Sequence, residues 1–285
     1  NGSIKALQIT SYSALWGTGS ADTILSNNVY YGSASTYINT NYASQYRQVS
    51  GQHQWFNAAS GTAGGTVSFT QALTLDASGR LLVGTTSASG SNLLQVNSDA
   101  LISGLTVGKG AGSVSTNTAV GANALQANTT GASNTAFGYE SMYANTTGNF
   151  NVALGRDSLD TNTTGSNNIA VGDGTLYAST TGNYNTAIGY TALYFNSTAS
   201  NNTAVGYQAG YSNTTGASNF FGGSGAGYGN TTGTSNIAIG PNTLQVTNTG
   251  NANIAIGYSA LYSNTTGSFN TAIGPDYSGG GLTLY

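Results

Sequence analysis

Residues 134–150 read NTAFGYESMYANTTGNF, and residues 151–167 read NVALGRDSLDTNTTGSN. Laid one above the other, the two lines share Asn, Ala, an apolar residue and Gly, then Leu or Met, then Asn-Thr-Thr-Gly. The opening pentad, Asn-x-Ala-apolar-Gly, starts at Asn117, Asn134, Asn151, Asn168, Asn185, Asn202, Asn219, Asn236, Asn253 and Asn270. Every step is 17 residues, without an insertion. The unit is therefore N-x-A-apolar-G-Y-x-A-L-Y-x-N-T-T-G-x-x. A fixed period of this kind decides the architecture before any local reading.

Seventeen residues are too few for a pair of helices, and Gly, Asn and Thr at this density oppose helix. The unit reads as two short extended segments, x-A-apolar and A-L-Y. One ends in Gly and the other in N-T-T-G, residues that tolerate left-handed backbone angles. Coils of constant length stack as a parallel β-helix or β-roll, each resting on its neighbours. At about 4.8 Å per strand, ten coils span roughly 45–50 Å. Asn117, Asn134, Asn151 and their successors then form a ladder whose amides can pair along the stack. The Ala column is expected to allow close backbone approach and to need outside cover, with the Val/Ile/Leu column packing beneath it. So thin a coil buries little alone, and a homotrimer about the fibre axis is the expected solution. One stretch departs from the pattern: Phe221 and Gly222 replace Ala and the apolar residue, and Gly210 and Gly227 replace Leu. It is expected either to loosen or narrow the stack, or to be simple drift.

The composition agrees with a ladder. Only 5% of the 285 residues are charged and the formal net charge is −3, against about 25% charged in ordinary domains. A charge at a repeated position would face like charges along its column, whereas Asn, Thr, Gly and Tyr repeat without repulsion. Five scattered cations cannot neutralise a run of phosphates, so nucleic acid is not an expected partner. No stretch of about 20 apolar residues suggests membrane insertion. With no Cys there is neither a disulfide nor a thiolate metal site, and no cofactor or metal is expected.

Residues 1–86 follow another rule. The stretches at 29–40, 46–58 and 66–86 alternate as short strands with Gly, Ser and Asn turns. Residues 87–112 read as a connector, 113–274 as the ten-coil repeat and 275–285 as a C-terminal tail. His53 and Trp55 fall in one expected strand and share a face. That face reads either as packing or as an aromatic surface for a sugar.

His53 is the only His and has no Ser/Asp order around it, so a nucleophilic hydrolase is not expected. Glu140 and Asp157 stand 17 residues apart and so share a column about 4.8 Å apart, near the 5–5.5 Å of a retaining glycosidase pair. Any two aligned acids would show this, and they are read with Asp160 as a solvated patch. Arg156 and Asp173, also 17 apart, should form a surface ion pair. The tyrosines are the better binding candidates. Tyr139, Tyr190, Tyr207 and Tyr258 follow the pentad Gly, while Tyr143, Tyr177, Tyr194, Tyr211, Tyr228 and Tyr262 occupy a later column. Stacked rings stabilise a coil, and their apolar area with a polar edge also suits a sugar ligand. The Asn-Thr-Thr triplets match N-glycosylation acceptors, but turn chemistry accounts for them.

Two resemblances bear on the role. The stretch YINTNYASQYRQVSGQHQWFNAASGTAGGTVSFTQALTLDASGRLLVGTTS (37–87), and within it LTLDASGRLLVGTTS (73–87), resembles structural and tail-fibre proteins of bacteriophages. The repeat, with NTAVG and NIAIG, is similar to the head repeats of trimeric autotransporter adhesins, which are left-handed parallel β-rolls. The period of 17 is longer than is usual there, and neither a coiled-coil stalk nor a membrane anchor is expected within residues 1–285. The resemblance implies an extracellular, homotrimeric, non-enzymatic tail fibre of a virion that recognises the host. Its implied partners are a cell-surface glycan or protein receptor and other virion tail proteins. A bacterial surface adhesin or filament, and a tailspike polysaccharide depolymerase, are the alternatives.

Overall fold

The computed structural model describes residues 5–10, 13–17, 23–31, 35–85, 94–96, 100–102, 105–246 and 248–275. Residue 86, the connector residues 87–93, 97–99 and 103–104, and the tail from 276 onward lie outside the described residues. The chain divides into two compact units between Ser98 and Asp99.

The first unit is an eight-stranded sheet with a small hairpin. Its strands are β1 (Lys5–Thr10), β2 (Ser13–Gly17), β3 (Thr23–Asn27), β6 (Asn41–Val49), β7 (Gln52–Gly61), β8 (Thr70–Leu75), β9 (Leu81–Val83) and β10 (Leu94–Val96), paired in that order. The hairpin pairs β4 (Val29–Tyr31) with β5 (Ser35–Tyr37). Val29, Tyr37, Ala43, Ala58 and Val67 bury a small core with Phe69 packed against it. The β8–β9 turn, Asp76 to Arg80, is closed by one side chain. Asp76 Oδ1 accepts the Ser78 and Arg80 backbone N–H groups at 2.9 Å, and Oδ2 accepts Arg80 Nε at 2.7 Å. The short strands expected before residue 86 are present, and His53 and Trp55 do share β7.

The second unit is the solenoid. A hairpin of β11 (Ala100–Ile102) and β12 (Leu105–Gly108) pairs antiparallel with β13 (Thr118–Val120) and covers that edge of the stack. From β13, nine further three-residue strands follow at 17-residue steps to β22 (Thr271–Ile273), all parallel and in register. Ala119 stands beside Ala136, and Ala136 beside Ala153. Among the described residues there is no α-helix, only a three-residue 3-10 turn at Ala111–Ser113.

Side chains lock the coil length. From Asn117 to Asn253 each pentad Asn sends Nδ2 to the carbonyl fourteen residues on, as from Asn134 to Gly148 at 2.8 Å, and accepts the next pentad's N–H on Oδ1, as from Asn151 at 2.9 Å. The Asn of the NTTG turn runs a second ladder: Asn145 Nδ2 bonds Asn128 Oδ1 at 2.9 Å, and Asn162 Nδ2 bonds Asn145 Oδ1 at 2.8 Å. Thr hydroxyls add a third, Thr129 to the Thr146 carbonyl and Thr146 to that of Thr163. The Nδ2 groups of the turn asparagines also bond the Gly carbonyl three residues on, as from Asn145 to Gly148, so these buried amide donors are satisfied. Asn128, Asn145, Asn162, Asn213 and Asn230 are at most 2% exposed, so these five glycosylation triplets are closed to a modifying enzyme in the folded coil. The pentad Gly is equally constrained. Gly155 has φ 141°, and a Cβ there would lie 2.4 Å from the Gly172 carbonyl oxygen.

Three details differ from the expectation. The A-L-Y segment is not extended but a run of turns, with one strand per coil. Leu125, Leu159, Leu176 and Leu193 sit at φ 51–52°, a backbone costing roughly 1–2 kcal/mol. Full burial of the side chain, worth about 1.5–3 kcal/mol, offsets it. Second, the Ala column points inward and is fully buried, while the Val/Ile/Leu column faces out: Phe137 is 55% exposed and Ile273 54%. A three-residue strand alternates sides, so placing Ala inside puts both its neighbours outside. Third, the Phe221 stretch is not underpacked. Phe221 is fully buried, and a Cβ on Gly210 or Gly227 would lie 2.6 or 2.2 Å from its ring. One large side chain fills the room that two absent leucines leave.

Candidate functional site

The outward tyrosines belong to two columns with different surroundings. Tyr177, Tyr194, Tyr211 and Tyr228 form one continuous stack. Successive centroids lie 5.0, 5.4 and 5.1 Å apart, with planes within 18° of parallel. Phe195 closes one side of it, edge-on to Tyr194 at 4.8 Å and to Tyr211 at 5.2 Å. Phe195 belongs to neither tyrosine column and so has no periodic signal in the sequence. In the other column Tyr190 and Tyr207 stack at 5.6 Å, each about half exposed.

The remaining candidates are not stacked on tyrosine neighbours one coil away. Arg156 occupies the coil after Tyr139, Asp160 the coil after Tyr143, Pro241 the coil before Tyr258 and Gln245 the coil before Tyr262. The predicted site is thus one ring stack, one ring pair and four separate rings. Within the stack each ring covers its neighbour's face. Burial raises the Tyr194 and Tyr211 hydroxyls above the ordinary phenol range, and adjoining tyrosines add to it. The column carries one hydroxyl per coil.

The charged residues gather where the tyrosine columns are interrupted. Arg156 clasps Asp173 through Nη2 at 2.9 Å and Nε at 3.1 Å, the ion pair expected from the spacing, and also reaches Asp157 at 3.3 Å. Glu140 accepts Asn123 Nδ2 at 3.2 Å. It also bonds the Tyr139 hydroxyl and so raises that group. Asp160 replaces a tyrosine between Tyr143 and Tyr177. Burial, then the charges of Asp157 and Glu140, push its carboxyl up to about 6. Among the described residues no group of three His, Cys, Asp or Glu is placed to hold a metal ion, and no helix is long and apolar enough to cross a membrane.

On the first unit, His53 and Trp55 are joined by Tyr46 of the neighbouring strand. The Tyr46 ring lies 5.2 Å from Trp55 and 5.9 Å from His53, and its hydroxyl bonds His53 Nδ1. Trp55 remains 38% exposed, so this face is only partly packed. No family profile, curated protein or solved structure matches the chain.

Proposed function

We propose that the chain is a segment of a homotrimeric, non-enzymatic fibre, of a phage tail or similar virion appendage, that presents a receptor-binding surface to host glycans. The observation that carries the reading is the outward apolar column of the solenoid. Phe137, Leu154, Ile188, Val205, Ile239 and Ile273 are each at least 40% exposed along one face of a coil whose interior is otherwise hydrogen-bonded and packed. A run of this length on one face is an association surface. Three copies about a common axis would cover the same face of each.

The assignment to a virion rests on the resemblance of residues 37–87, and host recognition follows from that role. The ring stack of Tyr177, Tyr194, Tyr211 and Tyr228 stands six residues on from the apolar column in each coil and is the surface left to a glycan. Its hydroxyls would bond the glycan's hydroxyl groups. Arg156 and Asp173 neutralise each other, and Asp157 is tied into the same pair, which supports a structural rather than a catalytic use of these acids.

Light scattering on the purified chain tests the assembly. The trimer predicts three times 28.6 kDa, and replacing Ile188 and Val205 with Asp should lower it toward monomer. A native species of 28.6 kDa overturns the reading. Glycan-array binding tests the recognition role.

A further inference from the structure

The groove with the clearest ligand chemistry lies on the first unit, on one face of the sheet where β3, β6 and β7 adjoin. Cross-strand register sets Leu25 opposite Tyr46 and Tyr46 opposite Trp55. Two residues along each strand, Asn27 faces Ser44 and Ser44 faces Asn57. Residues two apart share a face, so an aromatic row lies beside a row of two amides and a hydroxyl. Together the two rows line a concavity of about 400 Å³. A second concavity, about 390 Å³, starts from the same polar row and extends to Tyr42.

The details favour an open, functional face over a packed one. Tyr42 is 70% exposed, Leu25 41% and Trp55 38%, and Asn27, Ser44 and Asn57 are exposed as well. At Tyr42 the ladder is irregular: Asn41 pairs with Gly61 but Ala43 with Ala58, so two residues of β7 oppose one of β6. Such bulges re-aim side chains beside binding sites. Along β6 the order is then Tyr42, Ser44, Tyr46, each about 7 Å from the next.

Among the described residues the lining contains no Asp, Glu, Lys or Arg, and Arg47 alternates to the opposite face. An anionic or cationic ligand would find no counter-charge here. Aromatic faces flanking amides and a hydroxyl match one ligand chemistry well. A pyranose has an apolar C–H face for a ring and a rim of hydroxyls for amide and hydroxyl groups.

We propose that this groove binds a neutral oligosaccharide. Trp55 stacks on one sugar, Tyr42 on another further along, and Asn27, Ser44 and Asn57 hydrogen-bond the hydroxyls between them. The site is separate from the solenoid tyrosines and stands whether or not those bind.

The test is calorimetric titration of the full chain with maltohexaose, cellohexaose, mannohexaose and a sialylated oligosaccharide. Saturable binding of a neutral probe, unchanged by added salt, is expected. Trp55→Ala should weaken it roughly tenfold and Tyr42→Ala by a smaller factor, with Trp55→Phe intermediate. Asn57→Ala, an exposed change that leaves the strand intact, should also weaken it and guards against misfolding of the tryptophan variant. Tyr194→Ala in the solenoid should leave it unchanged. Absence of saturable binding to every neutral probe overturns the proposal. So does preference for the sialylated probe, or full affinity in Trp55→Ala and Asn57→Ala.

Discussion

Ser179 leaves the Asn162 side-chain oxygen without a donor. In the turn ladder each Asn donates Nδ2 to the Asn one coil before it, but position 179 carries Ser, whose shorter side chain does not reach. Both Asn162 Oδ1 and Ser179 Oγ are buried without a partner. The ladder therefore breaks there and resumes between Asn196 and Asn213 at 2.7 Å.

Ser179→Asn should close this gap. It supplies a donor to Asn162 and an acceptor for Asn196, replacing two orphaned atoms by hydrogen bonds, a gain of about 1–2 kcal/mol. Thermal unfolding should shift upward by a few degrees. A lowered midpoint would show that Ser179 is favoured for packing.

Phe221 and the two glycines should behave as one unit. Phe221→Ala leaves a void and should cost about 3–5 kcal/mol. Gly210→Leu or Gly227→Leu alone drives a side chain into the ring and should also destabilise. The triple change Phe221→Ala, Gly210→Leu, Gly227→Leu restores the regular coil and should recover most of the loss. Additive losses in denaturant titrations would contradict the compensation.

Asp160 should make the solenoid less stable as pH rises. Its carboxyl sits at about 6 in the fold against an ordinary 3.8. Between these values the native state holds more protons than the unfolded chain, so stability falls with increasing pH across that window. Asp157, raised chiefly by burial, acts in the same direction. Because Asp160 is partly exposed, the effect should be no more than about 1 kcal/mol. Asp160→Asn should flatten the profile in melts between about pH 4 and 7, and an unchanged slope would refute the assignment.

Within the ring stack, the faces and not the hydroxyls should carry stability. Tyr194→Phe should melt like the parent. Tyr194→Ala removes contacts to Tyr177, Tyr211 and Phe195 and should cost roughly 1–3 kcal/mol. Equal losses in both variants would shift the weight to the hydroxyl.

The 17-residue period made the architecture legible, because identical spacing admits few arrangements other than stacked coils in register. The Arg156–Asp173 pair and the columns of aligned tyrosines were legible for the same reason. Phe195 was not, since it occurs once in its column, and of the first unit's groove only the Trp55 face was. Its two rows are made by register across three strands, with Leu25 and Trp55 thirty residues apart.

The sequence alone thus determined the coil length, the parallel register and the pentad Asn ladder: each needs only that like residues meet at a constant offset. Tertiary structure decided which way they face. The left-handed backbone at Leu159 and its equivalents turns the second half of the coil inward. Ala153 and its column then fill the interior beside those leucines, and the Val/Ile/Leu column is left outside. That choice depends on volume and backbone angle summed around a closed coil, which no single repeat can specify. The same closure lets Phe221 stand where two leucines are missing, and sets Tyr177, Tyr194, Tyr211 and Tyr228 face to face.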